Sequence, residues 1–289
     1  MCAKNADGAR LRLQAPAKLN LYLAVTGRRP DGYHDIVSLM VCVGLHDSLR
    51  VDLGARGLTV ASGVAGVPDD ETNLALRAAR LFFETVGRPP NAAIRIRKRI
   101  PVGAGLGGGS SDAASILTGL NRHFGGPLSL DDLERLGLKL GADVPFFIRG
   151  RPALATGIGE RLSAFEKLAP ASVLIVHPAV RLSTAEVYGC LNLRLTTCGK
   201  KPKVFASKSR VFDASQYLCN DLEAVAGSLH PVILETKSKL LALGADGASM
   251  TGSGSAVFGL FKDPSAAGYA RDHFPKLRGW RFFLTNLVL

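Results

Sequence analysis

Apolar and polar residues alternate near the start of the chain, and this alternation predicts the first β-strand. Leu19, Leu21, Leu23 and Val25 occupy every second position, with Lys18, Asn20, Tyr22 and Ala24 between them. Because side chains on a strand point alternately to opposite faces, the leucines face the core while Lys18 and Asn20 share the other face. The turn residues Pro30-Asp31-Gly32 then place Tyr33 and His34 just beyond the strand.

Helical spacing of apolar residues and short apolar runs predict the remaining elements. Helices are expected from a cap at Asn73 to near Gly87, from the glycine-rich segment to Phe124, from Ser129 to Gly141, and near 184–191, 220–227 and 232–243. Strands are expected at 94–100, 173–176, within 247–261 and near 281–288. The mixture predicts an α/β (α+β) fold. The Gly157/Gly159 region is the expected boundary between a lobe of residues 1–159 and a lobe of residues 160–289.

A glycine-rich segment between a basic strand and a helix carries the most specific chemistry. It consists of Pro101, Val102, Gly103, Ala104, Gly105, Leu106, Gly107, Gly108, Gly109, Ser110 and Ser111, followed by Asp112. Such small residues let backbone amides close around an anion, and the N-terminus of the following helix offers unpaired N–H groups and a positive dipole end. The segment therefore predicts a phosphate cradle in which Ser110 and Ser111 add hydroxyl donors.

Two commoner glycine motifs fit less well. Gly103, Gly105 and Gly108 satisfy the dinucleotide pattern G-x-G-x-x-G, but the preceding strand 94–100 is basic on one face instead of apolar. The P-loop pattern requires Lys after its second glycine, and Gly109 follows Gly108 here. A flexible glycine linker is the remaining alternative, although linkers rarely lead directly into a capped helix.

Composition is that of an ordinary globular chain. The 289 residues are 47% hydrophobic and 21% charged, and no apolar run approaches the ~20 residues that cross a bilayer. Residues 1–7 lack the apolar core of a secretory signal, so we expect a cytoplasmic protein without a membrane segment. The five cysteines are odd in number and none forms a C-x-x-C pair, so we expect plain thiols.

The chain is strongly basic, with a net charge of +12. Such a balance suits either a nucleic-acid binder or an enzyme whose substrates carry several negative charges. The densest basic run, Arg194 to Arg210, has little periodicity and is expected to be a solvated loop; a patch for a phosphate backbone is the alternative.

Several local motifs resemble those of the GHMP-superfamily small-molecule kinases, and the resemblance extends nearly end to end. They are the glycine-rich segment, Ala15-Pro16-Ala17-Lys18-Leu19-Asn20, Pro30-Asp31-Gly32-Tyr33-His34, Gly141-Ala142-Asp143-Val144-Pro145-Phe146-Phe147, Ala155-Thr156-Gly157-Ile158-Gly159-Glu160 and Thr251-Gly252-Ser253-Gly254. The resemblance implies a two-lobed fold of mixed sheets with helices packed on them, and an active site in the cleft between the lobes. It further implies ATP as phosphoryl donor and Mg²⁺ as counter-ion.

The resemblance also implies roles for the acceptor side. Asp143 corresponds to the base that takes the hydroxyl proton, and Lys18 to its charged neighbour, functions that phosphoryl transfer needs on chemical grounds. Asn20 would hold the acceptor hydroxyls. Tyr33, His34 and Tyr188 would meet the base of a cytidine diphosphate sugar alcohol. Each of these residues also has an ordinary structural explanation, and Tyr188 in particular lies in a less distinctive segment.

Toward ATP, the segment Pro101 to Ser111 would hold the phosphates, while Asn73 and Lys98 match positions near the adenine. The alternatives are that Asn73 is only a helix cap and that Lys98 is only part of a basic strand. Between Ser111 and Asp143 the only glutamate is Glu134, so we name no protein ligand for Mg²⁺. We expect phosphate oxygens and water to hold it, with a serine as a further candidate.

Two rival functions remain open from the sequence. The same fold could act on another alcohol, such as homoserine or a mevalonate derivative, which has no base for Tyr33, His34 and Tyr188 to bind. A nucleic-acid-binding protein could use the glycine-rich segment to bind backbone phosphate without any turnover of ATP. The expected partners are small molecules and not nucleic acid or membrane, and the oligomeric state stays open.

Overall fold

The computed structural model describes residues 9–193, 196–198 and 211–289. These residues form two compact units. The first contains the residues up to Ala17, Leu45–Val102 and Gly107–Gly150, and the second contains Lys18–Gly44, Gly103–Leu106 and the described residues of Arg151–Leu289. Most of the basic run from Arg194 to Arg210 lies outside the described residues.

The first half of the chain contains two long strands and four helices. Their bounds are β1 Arg10–Arg28, β2 His34–Asp52, β3 Leu58–Ala61, α1 Leu74–Thr85, β4 Ala92–Arg97, α2 Gly108–His123, α3 Leu130–Leu140 and α4 Val144–Arg149. In the first unit, β4 pairs with β3 in parallel and with the end of β2 antiparallel, with Leu49 opposite Ile96. Helix α1 packs on α2, where the rings of Phe82 and Phe124 lie 6.0 Å apart.

The rest of the chain belongs to the second unit. Its elements are β5 Ala153–Gly157, β6 Arg161–Ala164, β7 Ser172–His177, α5 Thr184–Gly189, β8 Cys219–Asn220, α6 Glu223–Leu229, α7 Val232–Ala242, β9 Gly247–Met250, β10 Val257–Phe261, α8 Pro264–His273 and β11 Arg281–Val288. The strand order is β2-β11-β7-β10-β9, and β1 pairs with both β2 and β8. Buried Leu174, Val176, Ile233 and Leu240 belong to one apolar core between this sheet and its helices.

The mixed α/β fold class is confirmed, and so are several local signals. Asn73 caps α1 by accepting the N–H of Ala75, and Ser129 forms a capping box with Asp132 at the start of α3. The strand expected over 94–100 ends earlier, at Arg97. The reason lies in Asp47, whose Oδ1 accepts the N–H groups of Arg99 at 2.6 Å and Ile100 at 2.9 Å, so these donors do not continue the ladder.

Two further features bear on the expectations from sequence. The two units are interleaved along the chain, whereas the sequence predicts a single boundary near Gly159. Strands β1 and β2 each contribute residues to both units. The predicted lobes stay a prediction. None of the described helices has the length and hydropathy needed to pass through a bilayer.

The expectation of plain thiols is wrong for one pair of cysteines. Cys198 and Cys219 form a disulfide with a Cα–Cα distance of 5.8 Å. Cys42 and Cys190 are free. Spacing along the chain gave no sign of the bond. Cys219 lies on β8, and Asp221 just after it accepts the N–H groups of Thr197 and Cys198, both at 2.9 Å, which brings the two segments together.

Candidate active site

The polar face predicted for the first strand is present in β1 and is buried. Lys18 is 4% exposed and Asn20 is 2% exposed. The ammonium of Lys18 donates to Oδ1 of Asn20. The backbone N–H of Asn20 donates to Oγ1 of Thr251 at 3.0 Å, and its Nδ2 donates to Oγ of Ser38 at 2.7 Å. A buried cation is thus held in a fixed place by a side chain two positions along the same strand face.

The segment Thr251–Gly254 packs closely against the glycine-rich segment within the second unit. Gly254 donates its N–H to the carbonyl of Thr251 at 3.0 Å, which closes a tight turn. Gly105 has a φ of +74°, and a Cβ atom there would lie 2.1 Å from the carbonyl oxygen of Thr251. Nδ2 of Asn220 supports the turn by donating to the carbonyls of Met250 and Gly252, each at 2.8 Å. Both glycine-rich segments therefore need glycine for close approach.

The predicted aromatic group is partly assembled. The rings of His34 and Tyr188 have centroids 5.0 Å apart with an interplanar angle of 32°. Burial, and secondarily the positive charge of Arg28, lowers the pKa of His34, so its ring is neutral around neutral pH. Tyr33 is 60% exposed and its N–H donates to Oδ1 of Asp31 at 3.1 Å, as expected for a turn. An exposed aromatic ring thus follows the turn and is next in sequence to His34, one member of the tilted ring pair.

The N-terminus of α2 lies in the first unit and has the features of an anion site. Gly107, with φ +71°, precedes the helix in the left-handed conformation that glycine adopts without cost. The first N–H groups of a helix have no partner within it. Ser111 is fully buried, and neither its Oγ nor Oδ1 of Asp112 has a hydrogen-bond partner among the described residues. Buried oxygens without a partner are rare, and a bound ion or water is one of the explanations for them.

A buried triad of charges supports this helix start. Nζ of Lys98 lies 2.5 Å from Oδ2 of Asp47 and 2.7 Å from Oδ2 of Asp112. Burial raises the pKa of Asp112 to about 7, although Lys98 opposes that shift. For Lys98, burial favours the neutral amine, but the two carboxylates outweigh it and raise its pKa. A Cβ on Gly108 would lie 3.2 Å from Nζ of Lys98, so the ammonium sits beside the first turn of α2.

The remaining two predicted residues are placed as follows. Asn73 is buried; its Oδ1 caps α1 and its Nδ2 donates to the carbonyl of Pro68 at 2.6 Å. Both ends of the amide thus have structural partners. Asp143 immediately precedes α4 in the first unit, with φ −81° and ψ −15°, and its side chain makes no capping hydrogen bond to that helix. The carboxylate is therefore not needed to start α4.

Sequence reasoning did not identify Ser38, Asp47 or Asp112 as parts of the site. The sequence indicates Thr251 only as the first residue of a glycine-rich segment. Their contacts join residues far apart in the chain, such as Asn20 with Thr251. A partial signal existed for Asp112, because it directly follows the two serines at the helix start.

Two family models match the sequence. The model of the GHMP kinases N terminal domain matches residues 73–151, and that of the GHMP kinases C terminal domain matches residues 207–277. The chain belongs to the GHMP kinase family. Curated relatives of this GHMP kinase include two proteins named 4-diphosphocytidyl-2-C-methyl-D-erythritol kinase. The one from a Geobacter species is 47% identical and aligned over 94% of this chain and 96% of its own, and the one from Pelobacter propionicus is 48% identical over 93% and 96%.

Solved structures agree with this placement of the GHMP kinase. A crystal structure of 4-(cytidine 5'-diphospho)-2C-methyl-D-erythritol kinase superposes with a TM-score of 0.80 at 38% identity, covering 96% of this chain and 99% of that one. Homoserine kinase from Cytophaga hutchinsonii has a TM-score of 0.74 at 18% identity, covering 99% and 96%. The second likeness shows the fold alone. The resemblance inferred from sequence motifs is therefore confirmed at the level of the family.

Proposed function

We propose that this GHMP kinase transfers the γ-phosphoryl group of ATP to the 2-hydroxyl of 4-diphosphocytidyl-2-C-methyl-D-erythritol, a step of non-mevalonate isoprenoid synthesis. The observation that carries the proposal is the buried ammonium of Lys18, held by Asn20 on a polar strand face. The curated relatives that share most of this chain at 45–48% identity bear the name of that kinase. Their name supports the choice of acceptor.

The chemistry assigns a role to two charged residues. Asp143 accepts the proton of the acceptor hydroxyl as that oxygen attacks the γ-phosphorus, and ADP leaves with the bridging oxygen. Lys18 stabilises the negative charge that spreads over the transferred group. A buried ammonium suits this role because charge interactions strengthen where water is excluded.

ATP is held by the segment Pro101 to Ser111. Its backbone amides and the positive end of α2 bind the phosphates, with the hydroxyls of Ser110 and Ser111 as further donors. The ammonium of Lys98 beside the first turn of α2 adds positive charge there. Asn73 and Lys98 stay proposed ATP contacts, and Asn73 also caps the start of α1.

Mg²⁺ is the cofactor that the family implies. Oγ of Ser111 and Oδ1 of Asp112 are buried hard oxygens without a hydrogen-bond partner among the described residues, and such oxygens fit this ion. We propose that these two side chains hold it. When bound there, the ion would supply positive charge that neutralises the phosphates of ATP.

The acceptor is recognised at both of its ends. Tyr33, His34 and Tyr188 bind the cytosine, which supplies a flat ring for stacking and hydrogen-bonding atoms for a neutral imidazole. Asn20 lies nearest Lys18 and contacts the alcohol end. Both substrates carry several negative charges, and the net charge of +12 favours their approach.

The proposal is tested by an ADP-release assay with purified protein, ATP and a panel of acceptors. The panel contains the cytidine alcohol, homoserine and mevalonate. We expect release with the cytidine alcohol alone. If ADP is released with homoserine or mevalonate instead, the acceptor of this kinase is that alcohol. If folded protein releases no ADP with any alcohol, the result contradicts a kinase and favours a phosphate-binding protein.

A further inference from the structure

Ser38 lies at the end of a chain of hydrogen bonds that leads to Lys18. It is fully buried on β2, which pairs with β1. Its Oγ donates to the carbonyl of Tyr22 at 2.7 Å and accepts from Nδ2 of Asn20, also at 2.7 Å. The other end of the same amide accepts from the ammonium of Lys18. Four residues on two neighbouring strands are thus linked in one line.

Only one arrangement of donors and acceptors is possible along this line of hydrogen bonds. The carbonyl of Tyr22 can only accept, so it takes the single hydroxyl proton of Ser38. Oγ of Ser38 then offers only lone pairs to Asn20, which requires that the amide nitrogen face it. At the opposite end the ammonium of Lys18 can only donate, which requires the amide oxygen. Ser38 and Lys18 therefore demand the same orientation of the Asn20 amide.

We propose that Ser38 is a positioning residue for phosphoryl transfer, which fixes the amide of Asn20 and through it the ammonium of Lys18. This inference rests on the proposed function. Without the hydroxyl, a buried Nδ2 loses its acceptor and the amide turns toward other partners. The ammonium then loses a fixed acceptor, although its charge stays unchanged. The experiment must therefore detect a Lys18 ammonium that is displaced but still present.

Thr251 supports the same orientation through a longer contact. Its Oγ1 accepts from the backbone N–H of Asn20 at 3.0 Å and donates to Oδ1 of the same residue at 3.4 Å. That bond is long for a hydroxyl donor, and the same hydroxyl is also 3.4 Å from the carbonyl of Gly105. Ser38 is the residue whose hydroxyl meets the nitrogen of that amide at a short distance.

The test compares Ser38→Ala with Ser38→Thr in the ADP-release assay. We expect Ser38→Ala to lower kcat roughly ten- to a hundredfold, since a misplacement of about 1 Å can cost 10²-fold, with the KM for ATP unchanged. Ser38→Thr keeps a hydroxyl that can make both bonds and should restore most of the turnover. Ser172→Ala is the matched control, because it removes a buried hydroxyl on β7 that donates to Asn286 on β11, outside this line, and it should leave kcat as in the wild type.

A double-mutant cycle separates positioning from a general structural role. In an Asn20→Ala background, Ser38→Ala should cause no further loss, because the amide through which it acts is absent. Unchanged kcat in Ser38→Ala, or the same fold loss with and without Asn20, overturns the proposal. If Ser38→Ala does not fold, Ser38→Cys takes its place, since the thiol is a weak donor and acceptor of nearly the same shape.

A crystallographic arm keeps this test independent of the substrate. In the wild type the ammonium of Lys18 should lie at Oδ1 of Asn20, and in Ser38→Ala it should have left that position. An unmoved ammonium overturns the positioning role even if the kinase acts on another alcohol. If no acceptor in the panel yields ADP, the proposed function fails by itself, and the two structures still decide the contact.

Discussion

His34 and Tyr188 lie ring against ring, with centroids 5.0 Å apart, although one starts β2 and the other belongs to α5. Neither local sequence pattern requires such a pair. The turn at Asp31 places exposed Tyr33 next to His34 in sequence. Three aromatic groups with one neutral imidazole among them offer stacking faces and a hydrogen-bonding edge, as a nucleobase needs.

Replacing Tyr188 by alanine should weaken binding of the cytidine alcohol. One stacking contact with a base contributes about 1–3 kcal/mol, so we expect the KM for that acceptor to rise roughly tenfold. The KM for ATP should not change. Steady-state kinetics with each substrate varied in turn measures both constants.

Tyr188→Phe is the control for this change. The phenyl ring keeps the stacking face and should keep the acceptor KM near the wild-type value. A KM that is equally raised in the phenylalanine variant assigns the effect to the hydroxyl. An unchanged KM in Tyr188→Ala contradicts recognition of the base by this ring.

Substitution of Asp143 or Lys18 should lower kcat without weakening the binding of ATP. Asp143→Asn keeps the shape of the side chain but cannot accept a proton, and general-base catalysis is worth about 10²–10⁴-fold, so kcat should fall by that order. Lys18→Met removes the charge and should lower kcat to a similar extent. The affinity for ATP, measured by equilibrium binding, should stay within about twofold of wild type in both variants.

Retained turnover in Asp143→Asn removes that residue as the base. A melting curve for each variant checks that the fold is intact. Equal loss of kcat and of ATP affinity assigns the residue to nucleotide binding instead of to the chemical step.

Local patterns predicted the parts of the site that depend on neighbours in sequence. The alternation around Lys18 and Asn20 gave the strand face, and the glycines before Ser110 gave the start of α2. The cap at Asn73 follows from a capping residue type with apolar residues at helical spacing after it. Each signal arises from backbone geometry within a few residues, which is the range over which sequence periodicity is informative.

The missing parts depend on pairing between distant segments. Lys98 meets Asp47 and Asp112 only once β2 lies beside β4 and the helix follows. Ser38 meets Asn20 only through the pairing of β1 with β2. An isolated serine in an apolar strand or an isolated aspartate carries no information on its partner.

Gly103 and Gly105 form a matched pair for testing close approach. Both have positive φ, +68° and +74°, so alanine is strained by about 1–2 kcal/mol at either position. At Gly103 a Cβ meets open space, while at Gly105 it would lie 2.1 Å from the carbonyl of Thr251. Gly105→Ala should therefore destabilise the protein more and also raise the KM for ATP. Urea unfolding and kinetics measure the two effects, and equal effects of the two substitutions contradict the contact with Thr251.

The disulfide between Cys198 and Cys219 can be tested by counting reactive thiols before and after reduction. The bond removes two cysteines from reaction, so protein purified without reductant and then denatured should gain two reactive thiols on reduction. Closing a loop restricts the unfolded chain, so reduction should cost roughly 2–4 kcal/mol of the free energy of unfolding. Five reactive thiols before reduction contradict the bond. Cys198→Ser should reproduce the reduced protein.

Stability should depend on pH through Asp112. Its pKa is raised by burial from 3.8 to about 7 in the native state. The native state therefore holds a proton between roughly pH 4 and 7 that the unfolded chain has lost, and stability falls as the pH rises through this window. Compared with Asp112→Asn, the wild-type free energy of unfolding should decline by roughly 4 kcal/mol at most, at about 1.4 kcal/mol per pKa unit, and level off above pH 7.

Asp132 provides the opposite case within the same protein. Hydrogen bonds from Ser129, together with those from Arg135, lower the pKa of its exposed carboxyl. Its contribution to stability is therefore present above the pKa of the unfolded chain and is lost as the pH falls through the lower native value. Asp132→Asn should remove a fall in the free energy of unfolding that occurs at acid pH. Asp112→Asn should remove a fall that occurs as the pH rises toward neutral. Urea unfolding from about pH 2 to 8 distinguishes them, because the Asp132 effect lies below the unfolded pKa and the Asp112 effect lies above it. A wild-type-minus-Asp112→Asn difference that rises with pH shows that Lys98 outweighs burial at Asp112.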